Sequence, residues 1–531
     1  MRSLKYTVFP ILKFVENIQL APGKHTIELK INSFKINDFL TNINFIIMSK
    51  HHPFISLLLV LVSSFCFSQT KMPSFFSNNM ILQQQEKVSI WGTDAPNTTV
   101  EIETSWGQKS STTADASGNW KTKIPTIAAS FQKHTITIKG TTSITFENVL
   151  IGEIWFCSGQ SNMEMQMKTL NKNPTQKSEE LINTSSNTNI RLFNSERNIS
   201  LSLETDAIGK WEEANPESVT KFSAIGYLFG KKLFDKLQIP IGIIEASWGG
   251  TSIECWLPQK AIQEYSEIKI PTNIYKDEEK SKEKKPKPTL LYNAMVYPFR
   301  DFSIKGFLWY QGEGNRGNAG FYKKYMQTLI GSWRDQWQQN ALPFYFVQIA
   351  PFDYNVRYKS KTASFGANLV REAQIFAAQE IANTGVVVTT DVGNCSDIHP
   401  TEKNAVAERL ANWALANDYN NKDITFRSPE YKSMDIKKSK AIIELNFFGN
   451  KKENTKLDSK KELKDFVIAG EDKVFYPATV KINKDQTLTV YSDKVDKPVA
   501  VRYGFIDCME GTLFSNSGLP VSPFRTDDWA E

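Results

Sequence analysis

Histidine is scarce in this chain, and the few copies constrain its chemistry. The 531 residues hold five, His25, His51, His52, His134 and His399. The first three lie in or before a stretch that reads as a targeting segment. His134 sits in Gln132-Lys133-His134-Thr135-Ile136-Thr137-Ile138, whose alternation predicts a half-buried strand. If the chain uses an imidazole base, His399 is the remaining supplier. Cysteine is equally sparse: Cys66 belongs to the apolar leader, and Cys157, Cys255, Cys395 and Cys508 show none of the short paired spacings of zinc or dithiol redox sites. An exported form has enough cysteine for up to two disulfides, with connectivity left open. Cys157, inside a strand-like run, reads as a small buried hydrophobe.

Long apolar runs are missing too. Phe54 to Phe67 is apolar but falls short of the roughly 20 residues of a spanning helix. With Met48-Ser49-Lys50-His51-His52 before it and Ser68 after, it reads as a signal peptide over 48–68, cleaved near Ser68. Translation is expected to begin at Met48, with residues 1–47 an over-extended gene start and the mature protein secreted or periplasmic. The net charge of +6 is dispersed and includes the mixed-sign tract Lys276 to Lys287, which reads as a solvated loop. Neither a nucleic-acid partner nor stable membrane insertion is expected; oligomeric state stays open.

What is present is a globular composition, 40% hydrophobic and 12% aromatic, long enough for roughly two to three domains. Residues 69–148 alternate in short segments broken by Asp-Ala-Pro-Asn and Ala-Ser-Gly-Asn turns, predicting a β-rich module. From 149 to 433 apolar strands alternate with amphipathic helices, the rhythm of βαβ units on a parallel sheet. Strands are expected at Val149 to Cys157, Ile241 to Ser247, Gly306 to Tyr310, Phe344 to Ile349 and Gly385 to Thr390. Helices are expected near Val219 to Leu237, Phe321 to Trp337, Ala367 to Ala382 and Glu402 to Ala416. This is α/β, a three-layer α/β/α core. Residues 434–531 turn β-rich again, as a separate module or packed with the first.

Four motifs follow predicted strand ends, where open α/β sheets bind ligands. Gly159-Gln160-Ser161-Asn162-Met163 presents a serine after a tight turn, although Ser161 or Asn162 could equally cap a helix. Ser247-Trp248-Gly249-Gly250-Thr251 offers backbone N–H groups where no side chain blocks an oxyanion, and a plain glycine turn is the alternative. In Trp309-Tyr310-Gln311-Gly312-Glu313-Gly314-Asn315, Gln311 brings an amide donor, while Glu313 and Asn315 could orient neighbours or hold substrate hydroxyls. Asp397-Ile398-His399-Pro400 places a carboxylate beside the candidate base. Together they describe a serine hydrolase.

In order, Ile151 to Met163, Ser247 to Thr251, Leu291-Tyr292-Asn293-Ala294-Met295, Trp309 to Glu313, Asp397 to Pro400 and Gly518-Leu519-Pro520-Val521-Ser522-Pro523-Phe524-Arg525 resemble the sialate O-acetylesterase family of SGNH hydrolases, over roughly residues 73–529. The resemblance implies a flavodoxin-like SGNH core. It implies Ser161 as nucleophile, His399 as base, Asp397 as its carboxylate partner, and an oxyanion hole from Ser161 N–H, Gly250 N–H and the Gln311 side chain. Gln160, Asn162, Gly249, Glu313 and Asn315 fall in supporting or substrate-binding positions, and no metal or cofactor is implied. Two departures stand out. The superfamily's acid lies three residues before the histidine, where this chain has Ser396, so Asp391 is held in reserve; and the asparagine of the third block is replaced by Gln311. The implied activity is removal of O-acetyl groups from sialic acid. An esterase acting on acetylated xylan or another glycan is the nearest alternative, and a non-catalytic glycan-binding protein is the alternative from another class.

Overall fold

A continuous strand, Ser143–Gly159, runs through two sheets and organises the molecule. In the computed structural model, the described residues are 69–530 apart from 169–172, 274–285, 340, 356–365, 449–454 and 460–461. The expected gene start and signal peptide, 1–47 and 48–68, lie outside them. Among the described residues no helix is long and apolar enough to cross a membrane.

The C-terminal half of the long strand is the centre of a sheet ordered Thr384–Val387, Phe344–Val347, Gly306–Tyr310, Ser143–Gly159, Ile241–Ser247, Asn187–Asn194, Trp211–Ala214. All neighbours pair in parallel except the last two, which are antiparallel. All seven residues of Ile241–Ser247 are buried, as expected of a parallel strand covered on both faces. Successive side chains point to opposite faces, and the packing follows that period. Trp155, Cys157, Leu308 and Tyr310 pack with Tyr227 and Leu233 of helix Ala224–Leu237 and with Leu410 and Trp413 of helix Lys403–Asn417. Phe156, Phe307 and Trp309 pack with Tyr322 and Trp333 of helix Ala319–Gln336 and with Val370 of helix Ala367–Glu380.

The five expected strands and four helical regions are present, Ile241–Ser247 and Gly306–Tyr310 with the expected ends and the others with shifted ones. Two differences have local causes. The helix expected over 219–237 is divided into Pro216–Lys221 and Ala224–Leu237, because Ser223 caps the second by accepting from Gly226 N–H at 3.0 Å. Asn187–Asn194 and Trp211–Ala214 were not expected as strands, since the first carries Arg191 in its middle. Arg191 is fully buried, donating to the carbonyls of Thr188 and Asn79 and to Asn148 Oδ1.

The N-terminal half of Ser143–Gly159 pairs with Ser130–Lys139 and with Ile81–Gln83, so the boundary expected at 148/149 passes through the middle of one strand. His134 lies in Ser130–Lys139, buried, with Nδ1 3.1 Å from Ser105 Oγ, and burial lowers its pKa, a structural role. From Glu430 onward the strands pair among themselves around their own apolar core, Ala441, Ile443, Ile468, Val490 and Val501 included. Among the described residues none pairs with an N-terminal strand. Cys395 and Cys508 form a disulfide that ties this region to the loop bearing His399, while Cys157 and Cys255 are free and buried.

Candidate active site

Register places the motifs side by side. Gly159 is opposite Ser247 on one neighbour and Tyr310 on the other, so three motif-bearing loops leave the sheet from one edge. Gly159 has φ +140°, and a Cβ there would collide with the Tyr310 carbonyl oxygen. Only glycine permits this close approach. The chain then enters a single helical turn, Ser161–Glu164, that lifts Ser161 out of the sheet. Its Oγ lies 2.9 Å from His399 Nε2, joining residues 238 apart in sequence.

Asp397 belongs to the same constellation. Its Oδ1 accepts the backbone N–H of His399 at 2.9 Å and its Oδ2 accepts from Asn173 Nδ2 at 2.8 Å, closing the turn that presents the imidazole. Asp391 is engaged elsewhere, in a two-pronged ion pair with Arg409 at 2.8 and 2.6 Å. Gly250 has φ +75° with open space where a side chain would project. Its neighbour Gly249 donates N–H to Glu164 Oε2 at 2.9 Å, which pins the glycine turn to the serine's own helix.

Gln311 is held within the fold. It is fully buried, and both amide hydrogens are engaged, to Thr251 O at 3.1 Å and Asn315 Oδ1 at 2.8 Å, while Oε1 accepts from the Tyr322 hydroxyl at 2.9 Å. These contacts hold the side chain against the scaffold. Asn315 is likewise buried and saturated, accepting from Ile253 N–H at 2.8 Å and donating to Glu254 at 2.8 Å. Of the two roles open to Asn315, orienting neighbours and holding sugar hydroxyls, the contacts fit the first. Gln160 Oε1 accepts from Gly314 N–H at 3.2 Å, binding the serine turn to the Gln311 loop.

Asn162 links the two halves of the site. It donates to Glu313 Oε1 at 2.7 Å and to the carbonyl of Ile398, the residue before His399, at 3.1 Å. Its Oδ1 accepts from Lys403 Nζ at 2.6 Å. Lys403, not singled out from the sequence, is buried, and that burial brings its pKa down to about 7, against the pull of Glu313 and Asp397. Burial pushes Glu313 the other way, above the usual carboxylate range. The signal for Lys403 was its place four residues after His399, at the start of a helix whose same-face positions Val406, Ala407 and Leu410 are apolar and buried.

Ser161 and His399 open on a cavity of about 430 Å³, and its wall also carries residues missed in the sequence, among them Glu245 and Arg197. Arg197 Nε donates to Glu164 Oε1 at 2.5 Å and its guanidinium lies 5.3 Å from the Trp248 ring centroid. Glu245 had a legible signal, a single carboxylate in the otherwise apolar run Ile241 to Ala246.

A serine hydroxyl within hydrogen-bond reach of an imidazole at the mouth of a parallel sheet is an arrangement that suits a hydrolase, and comparison with known proteins narrows the class. Residues 151–416 match the family model described as carbohydrate esterase, sialic acid-specific acetylesterase, half of the chain and all four motifs. The chain belongs to this acetylesterase family. Sialate O-acetylesterases from Mus musculus and Homo sapiens are 27% and 28% identical to it, each alignment covering 86% of this chain and 94% and 92% of theirs. The crystal structure of a carbohydrate acetylesterase from Xanthomonas citri is 30% identical, with a TM-score of 0.76 over 87% of this chain and 100% of that one. As a member of the family, this chain is a carbohydrate acetylesterase with an α/β fold of the SGNH kind.

Proposed function

We propose that the chain is an exported serine esterase that removes O-acetyl groups from sialic acid, built on a three-layer α/β/α core with β-rich flanks. The observation that carries the mechanism is the 2.9 Å contact between Ser161 Oγ and His399 Nε2 at the cavity mouth. A free serine hydroxyl is a weak nucleophile and needs a base within such reach. His399 accepts the Ser161 proton as Oγ bonds to the acetyl carbonyl carbon. The N–H groups of Ser161 and Gly250 stabilise the developing oxyanion. The imidazolium then protonates the sugar oxygen as the ester C–O bond breaks. Water, deprotonated by His399, attacks the acetyl-serine, and acetate leaves as Ser161 regains its proton. Asp397 fixes the histidine turn and its carboxylate favours the imidazolium. Gln311 acts one step back, holding the Thr251 carbonyl and with it the glycine turn.

Export is supported by the leader-like sequence before Gln69 and by the Cys395–Cys508 disulfide, which suits an oxidising compartment. The sugar is supported by the family and by the sialate O-acetylesterases of mouse and human. The test is acetate release by the Gln69 to Glu531 form from O-acetylated sialic acid and, in parallel, from acetylated xylan, with His399→Ala as control. Release from the sialic acid that disappears in the control is expected. Preference for xylan would keep the mechanism and replace the sugar, and release from neither would overturn the proposal.

A further inference from the structure

The cavity beside Ser161 holds polar groups that the mechanism above does not use. Ser195 Oγ is buried without a hydrogen-bond partner, and Glu245 Oε1 and Ser247 Oγ are buried with no partner in good geometry beyond the loose contact these two residues make with each other; Ser195, Glu245 and Ser247 are 5%, 5% and 2% exposed and line the same space as Ser161 and His399. Buried polar atoms are ordinarily paired, and those beside an open cavity can take a partner from water or from a ligand that fills it. They come from two adjacent strand ends: Ser195 follows Asn187–Asn194, and Glu245 and Ser247 lie on Ile241–Ser247. Ser195 N–H donates to the Glu245 carbonyl at 2.8 Å, so the backbones that carry the three groups are locked to each other.

We infer that this cavity is the sugar subsite, in which Glu245, Ser195 and Ser247 bind the hydroxyl groups of a single polyhydroxylated sugar unit and set the enzyme's preference for it. Adjacent hydroxyls, each both donor and acceptor, match a rigid wall of two serines and a carboxyl. Burial keeps the Glu245 carboxyl protonated up to about pH 8, which makes it a donor as well as an acceptor at neutral pH and avoids a buried charge. At about 430 Å³ the cavity is near the lower end of ligand sites, sized for one sugar rather than a stretch of polymer. A site that hydrogen-bonds its substrate rejects analogues lacking those groups, because its own polar atoms then stay unpaired.

The inference rests on the reading of Ser161 as nucleophile, and the experiment separates the two. In Ser195→Ala and Glu245→Leu, kcat/KM for O-acetylated sialic acid is compared with that for phenyl acetate, which has no sugar; Glu245→Gln keeps the hydrogen-bonding capacity. The sugar-to-phenyl ratio is expected to fall about tenfold or more in the first two, through KM, and to stay within about threefold in Glu245→Gln. Binding of free sialic acid and of xylose to the Ser161→Ala protein, with and without Ser195→Ala, is measured by calorimetry. Either sugar binding and weakening about tenfold on loss of the Ser195 hydroxyl supports the subsite, and xylose alone doing so supports it while replacing the sugar. An unchanged ratio in Ser195→Ala, or no sugar binding, overturns it. Full phenyl acetate hydrolysis by Ser161→Ala would instead sink the nucleophile reading, leaving the binding result to judge the cavity.

Discussion

The two flanks of Ser161 are built in opposite ways. On the Tyr310 side, Gln160, Gln311 and Asn315 each meet partners within the fold, down to both hydrogens of the Gln311 amide. On the Ser247 side, Glu245, Ser195 and Ser247 keep buried polar atoms without partners in good geometry. A saturated network has nothing left to offer a ligand and serves to fix positions. An unsaturated one carries a standing desolvation cost that a ligand relieves. The amide cluster around Gln311 is thus scaffold and the groups beside Ser247 are open to a ligand, although Tyr310 Oη and Glu313 Oε2 on the first flank are also buried without partners.

The comparison can be broken most severely at its centre. Ser161→Ala or His399→Ala should lower kcat for acetyl ester hydrolysis by about 10⁴–10⁶-fold, with secondary structure retained by circular dichroism. Next comes the anchor of the histidine loop. The Cys395–Cys508 disulfide closes a span of 113 residues, and Cys508→Ser should cost up to roughly 4–5 kcal/mol, seen as a lower urea midpoint that reducing agent reproduces in the parent protein. On the saturated flank, Gln311→Ala leaves the Thr251 carbonyl and Asn315 short of a donor and a void among them. A loss of about 2–4 kcal/mol is expected by thermal unfolding, with activity lowered through kcat as the glycine turn loosens. If Gln311→Ala instead kept full stability and lost activity alone, Gln311 would be a direct oxyanion donor and the contrast between the flanks would fail.

The finest test is of pH dependence, where Glu245 and Lys403 should have opposite signs. Glu245 is raised from 4.5 to about 8, so the folded state binds the extra proton between those values and stability contributed there falls as pH rises. Lys403 is lowered from 10.5 to about 7, so the unfolded state binds the extra proton between 7 and 10.5 and stability rises with pH across that window. Melting temperature against pH for Glu245→Gln and Lys403→Met should lose the falling and the rising component respectively. Loss of the same component in both would show that the two groups titrate as one.

Much of this was legible in the sequence because it rests on local signals. Gly159 before Ser161 announced a tight turn, the continuous apolar runs announced buried parallel strands, and the scarcity of histidine singled out His399. What escaped depends on partners distant in the chain. Whether the Gln311 amide faces solvent or scaffold is decided by Thr251, Asn315 and Tyr322 converging on it. Asn187–Asn194 hid as a strand because Arg191 breaks its apolar pattern, and the partners that make that charge tolerable come from Asn79, Asn148 and Thr188. The pairing of Cys395 with Cys508, rather than with Cys157 or Cys255, is likewise a property of the fold.

The strand Ser143–Gly159 carries a consequence for how such a protein can change over time. Its first half is indexed by pairing to Ser130–Lys139 and its second half, by the same continuous backbone, to the edge that ends at Ser161. Beyond the bulge at Asn148, gain or loss of one residue between Leu150 and Trp155 would turn every later side chain over, exchanging Trp155 and Phe156 between faces. The flanking sheet and the esterase core are therefore inherited together. Recombination that treats them as exchangeable cassettes has no seam to cut at, and length variation in this lineage should collect in the loops that join the other strands.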